Sequence, residues 1–313
     1  DVPVVLNGKI YFKGMDVQAD NLQALVNQQE CRIKGGLDVS DTSNPKAEEL
    51  TISFRKFDLN KAEASLPVAG IIDGQVVANG TKDDYSLDGK LVSDSLTVEG
   101  YTFDNVQLPI ATSEGKLLLQ GAKAEYGGGN IYVVGEYDIH SKDAAMGVDA
   151  NNVDLTAITG SRLGKLKVDG TMLLAGNVDN DHLKLSSAGD FMTVNWQNMK
   201  LHNLEVDVDI DRDNITINNF SGYTGNQGVL LGEGKLNNGQ IAGRVQLVRL
   251  PIADFLPLAG QSGSGELSGE FKLHGTTADM NVTGPFSLEN GDINGVQISE
   301  AHGFAGWENR VLT

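Results

Sequence analysis

The sequence predicts an all-β protein: an elongated, repetitive, mostly antiparallel sheet carrying a few short helical inserts. Three observations lead there. Apolar and polar residues alternate with period two through most of the 313 residues, as they do in half-buried strands. Glycine-flanked strand segments recur: Gly8–Val17 reads GKIYFKGMDV, Gly115–Ala124 reads GKLLLQGAKA, and Asn214–Gly222 holds a looser copy, NITINNFSG. Short helix signals recur too, starting near Leu59, Leu155 and Ile252, at intervals of 96 and 97 residues.

The clearest strand is Leu204–Ile210. Leu204, Val206, Val208 and Ile210 point one way, and Glu205, Asp207, Asp209 and Asp211 the other. Leu166, Val168, Met172 and Leu174 follow the same rule across Gly170. Leu117 with Leu119, Phe271 with Leu273, Met280 with Val282, and Phe286 with Leu288 do likewise. Asp73-Gly74, Asn79-Gly80, Asp88-Gly89, Asn237-Asn238-Gly239 and Asn290-Gly291 read as turns between antiparallel strands. Asp58 is placed to cap DLNKAEASL, with Leu59, Ala62 and Leu66 on one face; DLTAITGSRL follows Asp154, and PIADFLPLAG opens on Pro251. A fourth helix is expected at Asp20–Asn27, DNLQALVN, as an insertion outside the register.

Each recurring helix precedes a matching passage: GIIDGQVVANG (Gly70–Gly80), GKLKVDGTMLLAG (Gly164–Gly176) and GSGELSGEFKLHG (Gly263–Gly275). IYVVGEYDI, VLLGEGKL and CRIKGGLDV form a further aligned set. The chain therefore reads as one elongated segment of three approximate repeats, 8–114, 115–212 and 213–313. That period is too long for a β-helix coil or a propeller blade. At about seven strands per repeat, one sheet of some 20 strands would extend on the order of 100 Å.

Composition narrows the function. With 24 basic against 42 acidic residues, the formal charge is −18. Such a surface repels nucleic acid and anionic membrane surfaces. The single cysteine, Cys31, excludes an internal disulfide and reads as a structural thiol. No run of 18 apolar residues is present, and residues 1–30 lack a signal-peptide pattern. Starting at Asp1 and not at Met, the chain reads as an interior fragment.

Several constellations hold residue types that can carry chemistry. Asp207, Asp209, Asp211 and Asp213 lie along a strand, with same-face neighbours about 6.8 Å apart. A calcium ion needs ligand oxygens at about 2.3–2.6 Å, so this run reads as a solvated face. Asn177, Asp179 and Asp181 lack the glycine and closing glutamate of a calcium loop. The five histidines show no metal-ligand spacing, and neither a nucleophile elbow nor a phosphate loop occurs. The expectation is a protein that is not an enzyme and holds no metal or cofactor. Trp196 and Trp307 read as core residues.

Three coverings of the apolar face remain open. The sheet closes on itself, a protein partner covers it, or apolar ligand lines it. Here a resemblance bears on the choice. The G-x-L-x-h-x-G strands (h, apolar), the short D-L or P-I inserts and Leu273–Gly295, LHGTTADMNVTGPFSLENGDING, resemble the TamB family of translocation-and-assembly-module subunits. That family is similar in turn to AsmA-like proteins and to the bridge-like lipid transfer proteins built of repeating β-grooves. The resemblance implies a U-shaped apolar groove in the periplasm of a diderm bacterium, the full-length protein being anchored in the inner membrane. It implies phospholipid acyl chains as cargo between inner and outer membrane, and an outer-membrane barrel partner of the TamA type. The lining residues expected on this reading are Leu117, Leu119, Leu166, Val168, Met172, Leu174, Leu204, Val206, Val208, Ile210 and Met280. The alternatives are an assembly factor for outer-membrane β-barrels and a structural rod with a closed, dry core.

Overall fold

The computed structural model describes residues 4–63, 68–81, 84–98, 100–113, 115–156, 166–177, 182–187, 193–196, 199–211, 214–224, 228–254, 256, 261–276, 279–308 and 311–312. It is all-β and antiparallel. The chain divides into two compact units, Asp1–Val148 and Asp149–Thr313.

In the first unit β1 (Val4–Asn7) and β2 (Ile10–Lys13) lie end to end against β3 (Asp16–Val26). Neighbours in sequence then pair in order: β4 (Gln29–Asp38), β5 (Lys46–Asp58), β6 (Val68–Gly80), β7 (Tyr85–Val98), β8 (Tyr101–Ser113), β9 (Lys116–Tyr126) and β10 (Gly129–Asp138). The division between the units falls within β11 (Asp143–Asp154).

In the second unit β12 (Leu166–Asn177) pairs with both β13 (His182–Ser187) and β14 (Thr193–Trp196), which share one position in the ladder and pair in turn with β15 (Met199–Asp211). β16 (Asn214–Thr224), β17 (Gly228–Asn237), β18 (Gln240–Pro251), β19 (Gly263–Thr276), β20 (Met280–Ile293), β21 (Val296–Glu308) and β22 (Val311–Leu312) follow in order. Among the described residues, no strand late in either unit pairs back to the first, so neither sheet closes into a barrel.

The 96- and 97-residue register has a structural basis. Lys56, Asn152 and Arg249 each take positive φ, 50°, 52° and 50°, and the first and third sit at breaks in strand register. Each is followed by a buried apolar residue: Phe57, Val153 and Leu250, the last two almost without exposure. Each backbone N–H donates to a side chain of the strand that follows. Lys56 reaches Asp73 Oδ1 (3.0 Å), Asn152 reaches Asp169 Oδ1 (2.6 Å), and Arg249 reaches Ser268 Oγ (2.9 Å). A bulge of this kind leaves one N–H out of the ladder and bends the strand, and the acceptor on the next strand satisfies that donor. Six ladder positions separate successive bulges, not seven.

After the first bulge, Asp58 caps α1 (Leu59–Ala62), accepting from the Lys61 N–H at 3.1 Å. After the third comes a single 3-10 turn, Ile252–Asp254. Most of DLTAITGSRL lies outside the described residues.

Two local expectations are corrected. Asp20–Asn27 is not helical: its residues to Val26 belong to β3, where Leu22 pairs with Ile33 and Ala24 with Cys31, both buried by period-two alternation. Asp73-Gly74, Asp88-Gly89 and Asn290-Gly291 lie inside strands and not in turns. Asp73 is instead the acceptor for the Lys56 bulge. Asn237-Asn238-Gly239 does form its turn, with φ of 49° and 76° at Asn238 and Gly239.

Candidate functional site

Cross-strand partners share a face, so the register reads the faces directly. In the second unit one row runs Leu174, Leu185, Val208, Ile217, Gly234, Gly243, Leu273, Val282 and Trp307, over nine strands. A parallel row runs Ile210, Ile215, Leu236, Ile241, Gly275 and Met280. The row between them is Asp209, Thr216, Lys235, Ala242, His274 and Asn281, on the opposite face. Along these rows one face is apolar and the other mostly polar.

The polar face is held by exposed ion pairs. Arg244 bridges Glu233 (2.9 Å) and Glu270 (3.3 Å), and Arg249 holds Glu266 at 2.8 Å. Hydrogen bonds donated to these carboxylates raise both guanidinium pKa values, and Arg249 lowers that of Glu266. Asp209 accepts from Asn218 Nδ2 at 2.6 Å. Among the described residues no three His, Cys, Asp or Glu side chains are grouped to hold a metal ion. Asp179, Asp181 and Asp213 lie outside the described residues.

The expected lining residues divide between the units. Val168 and Leu204 are buried together with Leu201, and Leu166, Met172, Phe220 and Leu230 pack on them half-buried. Leu174, Val208, Ile210 and Met280 fall on the two apolar rows, and Val206 pairs with Phe220. Met280, at the end of its row, is 40% exposed. In the first unit Leu117 pairs with Thr112 and Tyr137, and Leu119 with Gly135; both are half-buried. Thr112 lies in phase with Leu108 and Ile110, on the apolar side of that sheet.

The first unit repeats the two-faced design. Ala24, Cys31, Phe54, Gly74, Leu91 and Leu108 form an apolar row, and Gln23, Arg32, Ser53, Gln75, Lys90 and Pro109 run beside it on the other face. Here the insert covers one end. Ala62 of α1 is buried with Ala24, Cys31, Phe57 and Ile72, while Leu59 packs on that cluster. Asn27 Nδ2 donates to the Lys61 carbonyl at 2.8 Å, tying α1 to the β3–β4 turn. Cys31 is buried; desolvation first, and Glu30 second, raise its thiol pKa, as suits an unreactive thiol.

Sequence reasoning missed a concave stretch of the apolar face. In the second unit Gly232, Gly234 and Gly243 floor a trough of about 360 Å³, walled by Ile215, Ile217, Phe220, Leu236, Ile241, Val245 and Leu273. Its lining is almost wholly apolar. The signal was Gly232-Glu233-Gly234-Lys235-Leu236, where glycine takes the inward phase of an alternating strand and charge the outward one. Trp307 is not a core residue: it ends the long apolar row and is 43% exposed. The Trp196 side chain lies outside what is described.

Little of this apolar surface is fully buried. Most residues on the apolar rows are half-buried, neither sealed in a core nor free in water.

No family model, no characterised protein and no solved structure matches the chain. Among the described residues no helix is long and apolar enough to cross a membrane.

Proposed function

We propose that the apolar faces bind hydrocarbon chains, and that the protein is a lipid-conducting scaffold. The observation that carries this is the apolar row from Leu174 to Trp307, lying on a sheet that does not close into a barrel among the described residues. On a sheet face the backbone N–H and C=O groups are already used in the ladder. A polypeptide laid there would bury amides with no partner, at about 1–3 kcal/mol each. An acyl chain has no such groups. About 16 carbons at about 0.8 kcal/mol per CH₂ gain on the order of 10 kcal/mol, comparable to their stabilisation in a bilayer. Movement from one apolar position to the next is then nearly level in free energy. Polar headgroups remain in water at the rim.

On the resemblance to the TamB family, the cargo is phospholipid moving between the inner and outer membranes of a diderm bacterium. The sheet curls into a U-shaped groove in the periplasm, and a TamA-type barrel is the outer-membrane partner. A face that only conducts sets no direction, so energy coupling lies in other components.

Photo-crosslinking in cells from Val208 and Ile217 tests the reading. Adducts carrying phospholipid support it. Adducts carrying only polypeptide would favour the barrel-assembly role, and an absence of adducts a dry core.

A further inference from the structure

The apolar face of the second unit is not uniform. Between Ile217 on β16 and Leu273 on β19 the row passes through Gly234 and Gly243, which are direct partners. Two successive ladder positions therefore lack a side chain, and three strand spacings of about 4.8 Å put the flanking backbones about 14 Å apart. Gly232 extends the gap along β17. Glu233, Lys235 and Ala242 reach this trough with their backbones, since their side chains belong to the polar face, where Glu233 is held by Arg244.

We infer that this glycine-floored trough is a discrete seat for a single unbranched hydrocarbon segment, with Gly234 and Gly243 setting its cross-section. The inference rests on the lipid-conducting reading and adds that conduction proceeds through localised seats. Size sets the stoichiometry. If a methylene needs about the 30 Å³ that a water occupies in the liquid, 360 Å³ holds roughly a dozen of them. That is most of one acyl chain and too little for two. The occupant's chemistry follows from the lining. Among the described residues no side-chain polar group faces into the trough to pair with a headgroup, a sugar or a peptide amide, so only hydrocarbon enters without leaving polar groups unsatisfied.

Gly234 is the place to intervene. A Cβ there would lie 3.3 Å from the Ala242 carbonyl oxygen, whereas at Gly243 it would lie 2.8 Å from that of Glu233. Gly234→Leu fills the trough with the smaller backbone adjustment. Leu236→Glu puts a charge in the wall without needing room, and Ala242→Leu alters the opposite face of the same ladder. The experiment titrates a nitroxide-labelled sixteen-carbon fatty acid into the full chain and counts immobilised label per protein by electron paramagnetic resonance. Gly234→Leu and Leu236→Glu are each expected to lose one bound chain relative to the parent, and Ala242→Leu none. Should Gly234→Leu not fold, Leu236→Glu alone decides. Unchanged stoichiometry in the folded trough variants overturns the seat and leaves the broader reading standing. A parent protein that immobilises no label overturns both.

Discussion

In the first unit the apolar row Ile52, Val76, Gly89, Ile110 passes a glycine whose added Cβ would press into the Gln75 carbonyl oxygen, well inside van der Waals contact. Neighbouring backbone occupies the space that the missing side chain leaves. In the second unit the row Ile217, Gly234, Gly243, Leu273 is approached less closely: an added Cβ would lie 3.3 Å from the Ala242 carbonyl oxygen at Gly234 and 2.8 Å from that of Glu233 at Gly243, and the trough lies over this pair. The ends of the rows differ in the same sense. Phe54 and Phe57 meet edge to face at 5.3 Å beneath α1, where Ala62 seals the cluster. At the far end of the second unit's rows, Met280 and Trp307 are left partly in water. One residue type in one sheet architecture is thus approached by neighbouring backbone to different degrees, of these three positions most closely at Gly89 and least at Gly234.

The largest effect is expected where both units are alike. Phe57 and Leu250 each follow a bulge and are buried, so Phe57→Ala and Leu250→Ala each cost about 3–5 kcal/mol. Denaturant unfolding measures this, with Met280→Ala as an exposed comparison expected to change stability by less than about 1 kcal/mol. Next comes the direct test of the two glycines. Gly89→Ala forces overpacking at about 1–3 kcal/mol, while Gly234→Ala, with its Cβ 3.3 Å from the Ala242 carbonyl oxygen, costs less. Equal losses at the two positions would erase the distinction.

Removing a bulge acceptor is smaller. Asp73→Ala in one unit and Asp169→Ala in the other each strand an N–H at an exposed bulge, costing about 1 kcal/mol. Matched losses would show that the 96-residue device works alike in both units, and thermal melts of the two variants compare them.

The smallest effect is the pH dependence of the α1 cap in the first unit. Hydrogen bonds from Lys61, with its charge 3.1 Å away, hold the Asp58 carboxyl below the usual carboxylate range. A depressed folded pKa contributes stability above the unfolded value of about 3.9, which is lost as pH falls through the folded pKa. The α1 cap therefore loosens only in acid. Amide exchange at Lys61 is expected to quicken there, and Asp58→Asn to remove the pH step.

Much of this was legible in the chain. The alternation of Leu204–Ile210 gave the faces of β15, and the spacing of Leu59, Leu155 and Ile252 gave the period. The cause of the period was not legible, because Lys56, Asn152 and Arg249 share no side-chain chemistry; only their backbones and acceptors agree. Asp-Gly pairs suggested turns on local grounds, yet Asp73 accepts from a residue 17 positions away. Such a bond depends on strand pairing, which no short window contains. DNLQALVN has helical spacing, but burial against β4 overrides it. Of the expected lining, Val208 and Ile210 fall on the apolar rows of the second unit and Leu204 in its buried cluster, while the trough stayed hidden because its floor has no side chains to notice.

The central claim is that these apolar faces carry hydrocarbon and not a dry contact. Quantifying phospholipid by mass spectrometry in protein isolated gently and without detergent tests it most directly. The account predicts at least one equivalent of phospholipid per chain, reduced in Val208→Glu protein of unchanged secondary structure. Folded protein free of lipid, or lipid content unaffected by Val208→Glu and Gly234→Leu together, would contradict it.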